Sequence, residues 1–362
     1  MSAFRQAPVK GGIAGLIAGL LFAVSSSGMA EPVADFYKGK QLRIIVRAGP
    51  GGNYDLYSRL LVRHMVQYIP GRPVGVPVNM PGGSGLTALN YVAEVAPKDG
   101  TVLTMVTQTF PLEQALGLNK NLKLDLRKLD WLGNMTEANT FLLTSRFSPT
   151  RTLDDAKRRE TVMAVPSTAD VTAWLAALLN NALGTKLKLV AGYPSGPAMN
   201  LAMERNEVEG RGTTNPRAML IGGGSSESAA AFNLLLQSGL RKDKDYPDVP
   251  LLRDLATNDR QRLVFEYFSK MGALARPIAL AAGIPPDRLA ALRAAFKATM
   301  EDADFIAEAK RQMMEIGMMS GEEVQQIVDD LVDISPDLAD QVRHAFQVQD
   351  AVQLEGGGGG PQ

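Results

Sequence analysis

From residue 42 onward, short β-rich runs alternate with helix-patterned stretches, and that alternation confines the chain to βαβ units built on parallel sheets. Residues 42–46 read as a buried strand broken only by Arg43, after which Leu56, Leu60, Leu61 and Met65 line one face of a helix. Residues 74–78 read as strand, 86–95 as helix and 101–106 as strand. A second series starts at 141–144. It passes through a helix near Thr152, a strand at 161–165, a helix over 171–183, a strand at 187–190, a helix over 197–205 and a strand at 207–211. The tail is helical: Pro285-Pro286 opens one helix, 302–315 forms another, and Ser320-Gly321-Glu322-Glu323 is a capping box for a third. Residues 270–280 carry a β-like run that can return the chain to the first sheet. The expected fold class is therefore α/β, with two lobes that each hold an open sheet flanked by helices.

Export and charge narrow the functional classes. Arg5 and Lys10, the apolar run 13–24 and the small residues 25–30 ending Gly28-Met29-Ala30 read as a signal peptide cleaved near Ala30. An uncleaved anchor is the alternative, although twelve apolar residues are short for a span. The 362-residue chain has 38 basic and 38 acidic residues, so it presents no electrostatic footprint for nucleic acid. Without a single cysteine it can form no disulfide, thiolate nucleophile or cysteine-ligated metal site. A chain of this length can bury a core without such staples.

Two glycine loops stand where strands give way to helices. In Gly49-Pro50-Gly51-Gly52-Asn53-Tyr54-Asp55 a dinucleotide fingerprint would need glycine in place of Tyr54 and an acid some twenty residues on, but residues 70–80 contain neither Asp nor Glu. The remaining readings are a plain turn with Asn53 or Asp55 as helix cap, or an anion cradle of unpaired backbone N–H groups. Pro81-Gly82-Gly83-Ser84-Gly85 offers the same choice, with the Ser84 hydroxyl added. Thr107-Gln108-Thr109 closes the third strand at its carboxyl end, where ligands gather in open α/β sheets. In the second series, Pro166-Ser167-Thr168-Ala169-Asp170, Tyr193-Pro194-Ser195-Gly196-Pro197 and Arg211-Gly212-Thr213-Thr214-Asn215 would face these loops across a cleft.

The other groups read as structural. Asp170 suits a helix cap, and Arg211, on a strand, ranks below the loop residues. His64 and His344 lack any ligand spacing and read as packing or surface groups. Gly222-Gly223-Gly224-Ser225-Ser226 reads as a loop, and 356–360 as part of a flexible end. No nucleophile elbow, Walker loop or zinc motif is present.

In order, these motifs resemble the extracytoplasmic substrate-binding receptors of the tripartite tricarboxylate transporter family. The resemblance rests on Leu42-Arg43-Ile44-Ile45-Val46 through Gly51-Gly52-Asn53-Tyr54-Asp55 and Ser58-Arg59, then Asn79 to Gly85, and Pro97-Lys98-Asp99-Gly100-Thr101. It continues through Gly192-Tyr193-Pro194-Ser195-Gly196, Glu207-Val208-Glu209-Gly210, Pro247-Asp248-Val249-Pro250 and Gly283-Ile284-Pro285-Pro286, and covers residues 36–333. Two segments depart from the family pattern: Pro166-Ser167-Thr168-Ala169, where many members have a glycine- and serine-rich turn, and Arg211 to Asn215.

The resemblance implies a two-lobed, type II-like periplasmic binding protein that closes on its ligand like a flytrap. Lobe 1 would comprise 31–140 and 275–354, lobe 2 141–274, with a signal peptide at 1–30 and a tail at 355–362. Backbone groups and waters at Gly51, Gly52, Asn53, Asp55, Gly83 and Ser84 would hold one carboxylate. Selectivity would come from Thr107, Gln108, Ser167, Thr168, Tyr193, Thr214 and Asn215. The hinge would be 140–144 and 271–280.

A non-enzymatic periplasmic receptor follows, expected to be monomeric and without cofactor or metal. It would deliver a small organic acid to membrane transport subunits. The rivals are an exported sensor for a signalling partner and a secreted hydrolase, which would need a nucleophile with a paired base.

Overall fold

In the computed structural model, residues 32–214, 216, 232–348 and 351–353 are described. The signal-peptide expectation at 1–30, Asn215, the 222–226 loop and the 355–362 tail lie outside them.

The first lobe begins with α1 (Val33–Tyr37), β1 (Gln41–Val46), α2 (Asn53–Met65) and β2 (Val74–Asn79). It continues with α3 (Leu86–Asn90), which runs on into a π-turn, then β3 (Val102–Met105), α4 (Phe110–Leu116) and β4 (Asp130–Asn134). The second lobe contains β5 (Thr140–Ser145), α5 (Leu153–Arg158), β6 (Thr161–Val165), α6 (Val171–Leu183) and β7 (Leu187–Ala191). These lead to α7 (Gly196–Glu204), β8 (Gly210–Thr213), β9 (Phe232–Ser238) and α8 (Asp259–Lys270). The chain then returns through β10 (Pro277–Leu280), α9 (Pro286–Glu301), α10 (Ala303–Arg311), β11 (Met319–Ser320), α11 (Gly321–Val332) and α12 (Pro336–Ala345), and ends at β12 (Val352–Gln353).

Each lobe is built on a six-stranded mixed sheet. The order is β11-β4-β10-β3-β1-β2 in the first and β12-β7-β6-β8-β5-β9 in the second. Strands β2, β1 and β3 are parallel, as are β7, β6 and β8, so each group turns its carboxyl ends to one edge. Helix α6 explains how the second lobe is filled. Val171 through Leu179 are all buried, which suits a helix packed on every side rather than along one stripe.

Several sequence expectations need correction. Residues 352–353, assigned to lobe 1, pair with β7 of the second sheet at Val352↔Val190 and Gln353↔Ala191. Phe346, just before them, packs against Trp174 and Phe268 of the second lobe, so apolar burial draws the chain end across. Residues 140–144 are not a flexible joint, because β5 is hydrogen-bonded to β8 on one side and β9 on the other. The chain crosses at 135–139 and returns at 271–276. Of the expected 270–280 strand, only Pro277–Leu280 is β, and Met271–Leu274 forms a 3₁₀ turn. The strand expected at 207–211 starts instead at Gly210, and the helix expected over 302–315 spans Ala303–Arg311, with Asp302 as its cap.

The two crossings run side by side and are tied together by one side chain. Asn134 Nδ2 donates to the carbonyls of Thr136 (2.7 Å) and Ala273 (2.8 Å), and its Oδ1 accepts from Arg276 N (2.8 Å). Backbone bonds from Ala138 N to Gly272 O (3.0 Å) and from Met135 N to Arg276 O (3.1 Å) complete the pair.

Candidate functional site

The carboxyl ends of the parallel strands open onto a cleft of about 1570 Å3 between the lobes. On the first lobe its lining includes Arg47, the loop 49–54, Ser84, Thr107 and Gln108. On the second lobe it includes Pro166, residues 169–172, residues 194–197, Arg211 and Thr214. Arg276, at the return crossing, reaches the same cavity, while Met199, Met203 and Phe232 give it an apolar wall.

The first glycine loop is shaped from behind. Gly51 has φ 81°, and the first residue inside α2 is Asn53, with Gly52 as a cap that makes no side-chain bond. Asp55 is therefore neither cap nor lining. It is 2% exposed, and its carboxylate accepts from Gly51 N (2.9 Å), Arg59 Nε (2.8 Å) and Asn79 Nδ2 (2.8 Å). Burial raises its pKa, but the hydrogen bonds from Arg59, Gly51 and Asn79 outweigh it and hold the carboxyl below the ordinary aspartate value. Asp55 thus braces from behind the glycine loop whose residues 49–54 line the cavity.

The second glycine loop carries more strain and holds a guanidinium. Ser84, a non-glycine residue at φ 54°, accepts through its carbonyl from Arg47 Nη2 (2.9 Å) and Thr107 Oγ1 (2.9 Å). Gly85, at φ 106°, leaves the space that the Arg47 side chain uses. A Cβ there would stand 2.6 Å from both Arg47 Nε and Thr107 Oγ1. The Ser84 hydroxyl lies 3.2 Å from that of Ser167, a bond that joins the two lobes across the cleft.

The remaining expected residues divide by position. Gly51, Gly52, Asn53, Ser84, Thr107, Gln108 and Thr214 line the cleft together. Gly83 shapes the loop behind Ser84 at φ 51°, and Ser167 and Thr168 sit half-buried beside the lining. Tyr193 is buried in a small apolar cluster with Leu143, Met199 and Met203. Asp170 caps α6, accepting from Thr172 N (2.9 Å), as the sequence suggests. His64 bonds Glu308 at 2.8 Å and packs edge-on to Phe305, outside the cleft lining.

Sequence reasoning missed Arg47 and Arg276 and ranked Arg211 too low. Arg47 immediately follows β1, and Arg276 immediately precedes Pro277 in an otherwise apolar run. A lone arginine at the end of a buried strand was the available signal. Arg276 is 3% and Arg211 6% exposed. Burial pushes the Arg211 pKa down to about 10, countered by the charge of Asp170, so it stays cationic at neutral pH. Gln108 is 2% exposed, and both its amide atoms lack a partner, as do Nε of Arg47, Arg211 and Arg276. Buried polar groups left unpaired in a native cavity await a ligand or solvent.

No family model matches the chain. A UPF0065 protein of Bordetella bronchiseptica is 25% identical over 253 residues, 67% of this chain and 71% of that protein. The protein BugT of Bordetella pertussis is 26% identical over 186 residues, and the matched stretch spans only 56% of its length and 49% of this chain. Among solved structures, a TctC solute-binding protein from Polaromonas superposes with a TM-score of 0.59 at 17% identity, covering 85% of this chain and 99% of that one. MatC from Rhodopseudomonas palustris, solved with malate, gives 0.63 at 18% identity over 84% and 99%. An R. palustris protein solved with adipate gives 0.65 at 15% identity over 84% and 97%. The structural matches establish the two-lobed binding-protein fold, and in sequence the chain resembles the UPF0065 protein and BugT.

Proposed function

We propose that the chain is a periplasmic receptor that captures a small organic acid between its lobes and delivers it to the membrane subunits of a tripartite carrier. The observation that carries this reading is the cleft itself, in which an uncapped helix start and a glycine loop braced by Asp55 lie beside the buried, partly unpaired Arg211 and Arg276. Such a lining lowers the energy of an anion held there. The malate and adipate held by two neighbours of the same fold support a carboxylate as that anion. The leader-like residues 1–30 support export, with cleavage near Ala30. Among the described residues no helix is long and apolar enough to cross a membrane.

Closure would follow from ligand contacts on both lobes, which favour the closed arrangement over the open one. The paired crossings at 135–139 and 271–276 are the joint, and the closed form is what the membrane subunits would recognise. A thermal-shift screen checks the binding step. A carboxylate at 100 times its dissociation constant should add about 2.7 kcal/mol of stability. Its neutral amide should add none. An equal shift with acid and amide would remove the anion reading.

A further inference from the structure

The cleft holds more fixed positive charge than one carboxylate can answer. Arg47 and Arg276 lie against the same ring, their guanidinium carbons 4.0 and 4.6 Å from the centroid of Tyr54. Two like charges on one ring repel unless an anion lies near both. Arg211 stands apart, on β8 of the second lobe. Its Nη1 donates to Gly196 O (3.0 Å), and a Cβ on Gly196 would come within 3.0 Å of that nitrogen. Gly85 and Gly196 thus leave room for one guanidinium on each lobe.

Among the described residues no carboxylate forms an ion pair with any of the three. Arg47 donates to the carbonyl of Ser84, Arg211 to that of Gly196, and Arg276 to Ala275 O and Thr214 Oγ1. Three acids lie near them. Glu113, near Arg47, is bonded by Thr109 and Asn119, and Asp170, near Arg211, by Thr172. Glu315 shares a small side cavity with Arg276. Guanidinium cannot neutralise itself by losing a proton at any ordinary pH, so an anion entering the cleft would meet three charged groups that no ion pair occupies among the described residues.

We propose that Arg47 and Arg276 form one pole and Arg211 the other pole of a guanidinium clamp that pairs directly with two separate carboxylates of one ligand. This rests on the receptor reading above and adds to it the ligand's valence and the residues that read it. A monocarboxylate satisfies one pole and leaves the other buried and uncompensated. A dicarboxylate satisfies both, and by joining Arg211 to the first-lobe pair it draws the lobes together. Gln108, with a free donor and acceptor on the first-lobe side, can bond either the first carboxylate or a substituent beside it.

The test is calorimetric titration of the purified protein with butanedioate, hexanedioate and octanedioate, each against its monoacid. The best diacid is expected to bind at least about 100-fold more tightly than its monoacid. In Arg211→Gln the diacid's advantage over its monoacid should fall to about tenfold or less. A monoacid that binds as well as its diacid, or an unchanged preference in Arg211→Gln, overturns the clamp and leaves the receptor reading standing. Binding by none of the acids overturns both. Should Arg211→Gln fail to fold, the diacid-to-monoacid ratio of the unaltered protein still decides.

Discussion

Replacing Asn134 by alanine should cost about 3–5 kcal/mol of folding stability, far more than an ordinary surface substitution. The change removes two donated hydrogen bonds and one accepted bond at a fully buried residue. It strands the carbonyls of Thr136 and Ala273 and the N–H of Arg276, each costing roughly 1–3 kcal/mol when buried without a partner. Because those groups belong to both lobe crossings, the variant should also lose the fixed position of Arg276 and bind its ligand more weakly. Urea unfolding of the ligand-free protein measures the first effect. A loss below about 1 kcal/mol would mean that the crossings are held by other contacts.

Asp55→Ala should weaken ligand binding by about 10- to 100-fold although Asp55 does not line the cleft. Its carboxylate fixes Gly51 N and Asn79 Nδ2, so removing it frees the glycine loop that lines the cleft. The expected stability loss is about 2–3 kcal/mol, drawn from those two bonds. Arg59, with a side chain 40% exposed, adds little after solvent screening. Asp55→Asn keeps the acceptor oxygen and should fall between the two. Unchanged affinity in Asp55→Ala would show that the loop needs no brace.

The same residue sets an acid limit. Its folded pKa is lowered, so its contribution is present above the unfolded aspartate value. That contribution is lost as pH falls through the folded value, and in the Asp55→Asn variant that part of the acid destabilisation should disappear.

The sheet-building segments were legible because their signals are local. The run 42–46, the glycine turn and the leucine stripe of α2 each encode their structure within a few residues, and α6 emerges with the bounds its apolar run suggests. Strand β4 was missed because its sequence, Asp130-Trp131-Leu132-Gly133-Asn134, begins with an acid and contains a glycine. The site was legible only as a set of loops. Arg276 reaches Tyr54 from more than 200 residues away in sequence, a contact that no spacing rule carries. Asp55 lay in the right loop, but only the fold shows its carboxylate turned inward onto Gly51 and Asn79 rather than outward to the cavity. The path of 352–353 into the second sheet depends likewise on where Phe346 finds apolar partners.

The claim that the cleft binds an organic acid is tested most directly by one calorimetric experiment. Protein stripped of ligand by unfolding and refolding is titrated with a mixture of short mono-, di- and tricarboxylates, and separately with the matching amides. A saturable heat at one site per chain with the acids, and none with the amides, is the result this account predicts. Equal heats from acids and amides, or none from either, would contradict it.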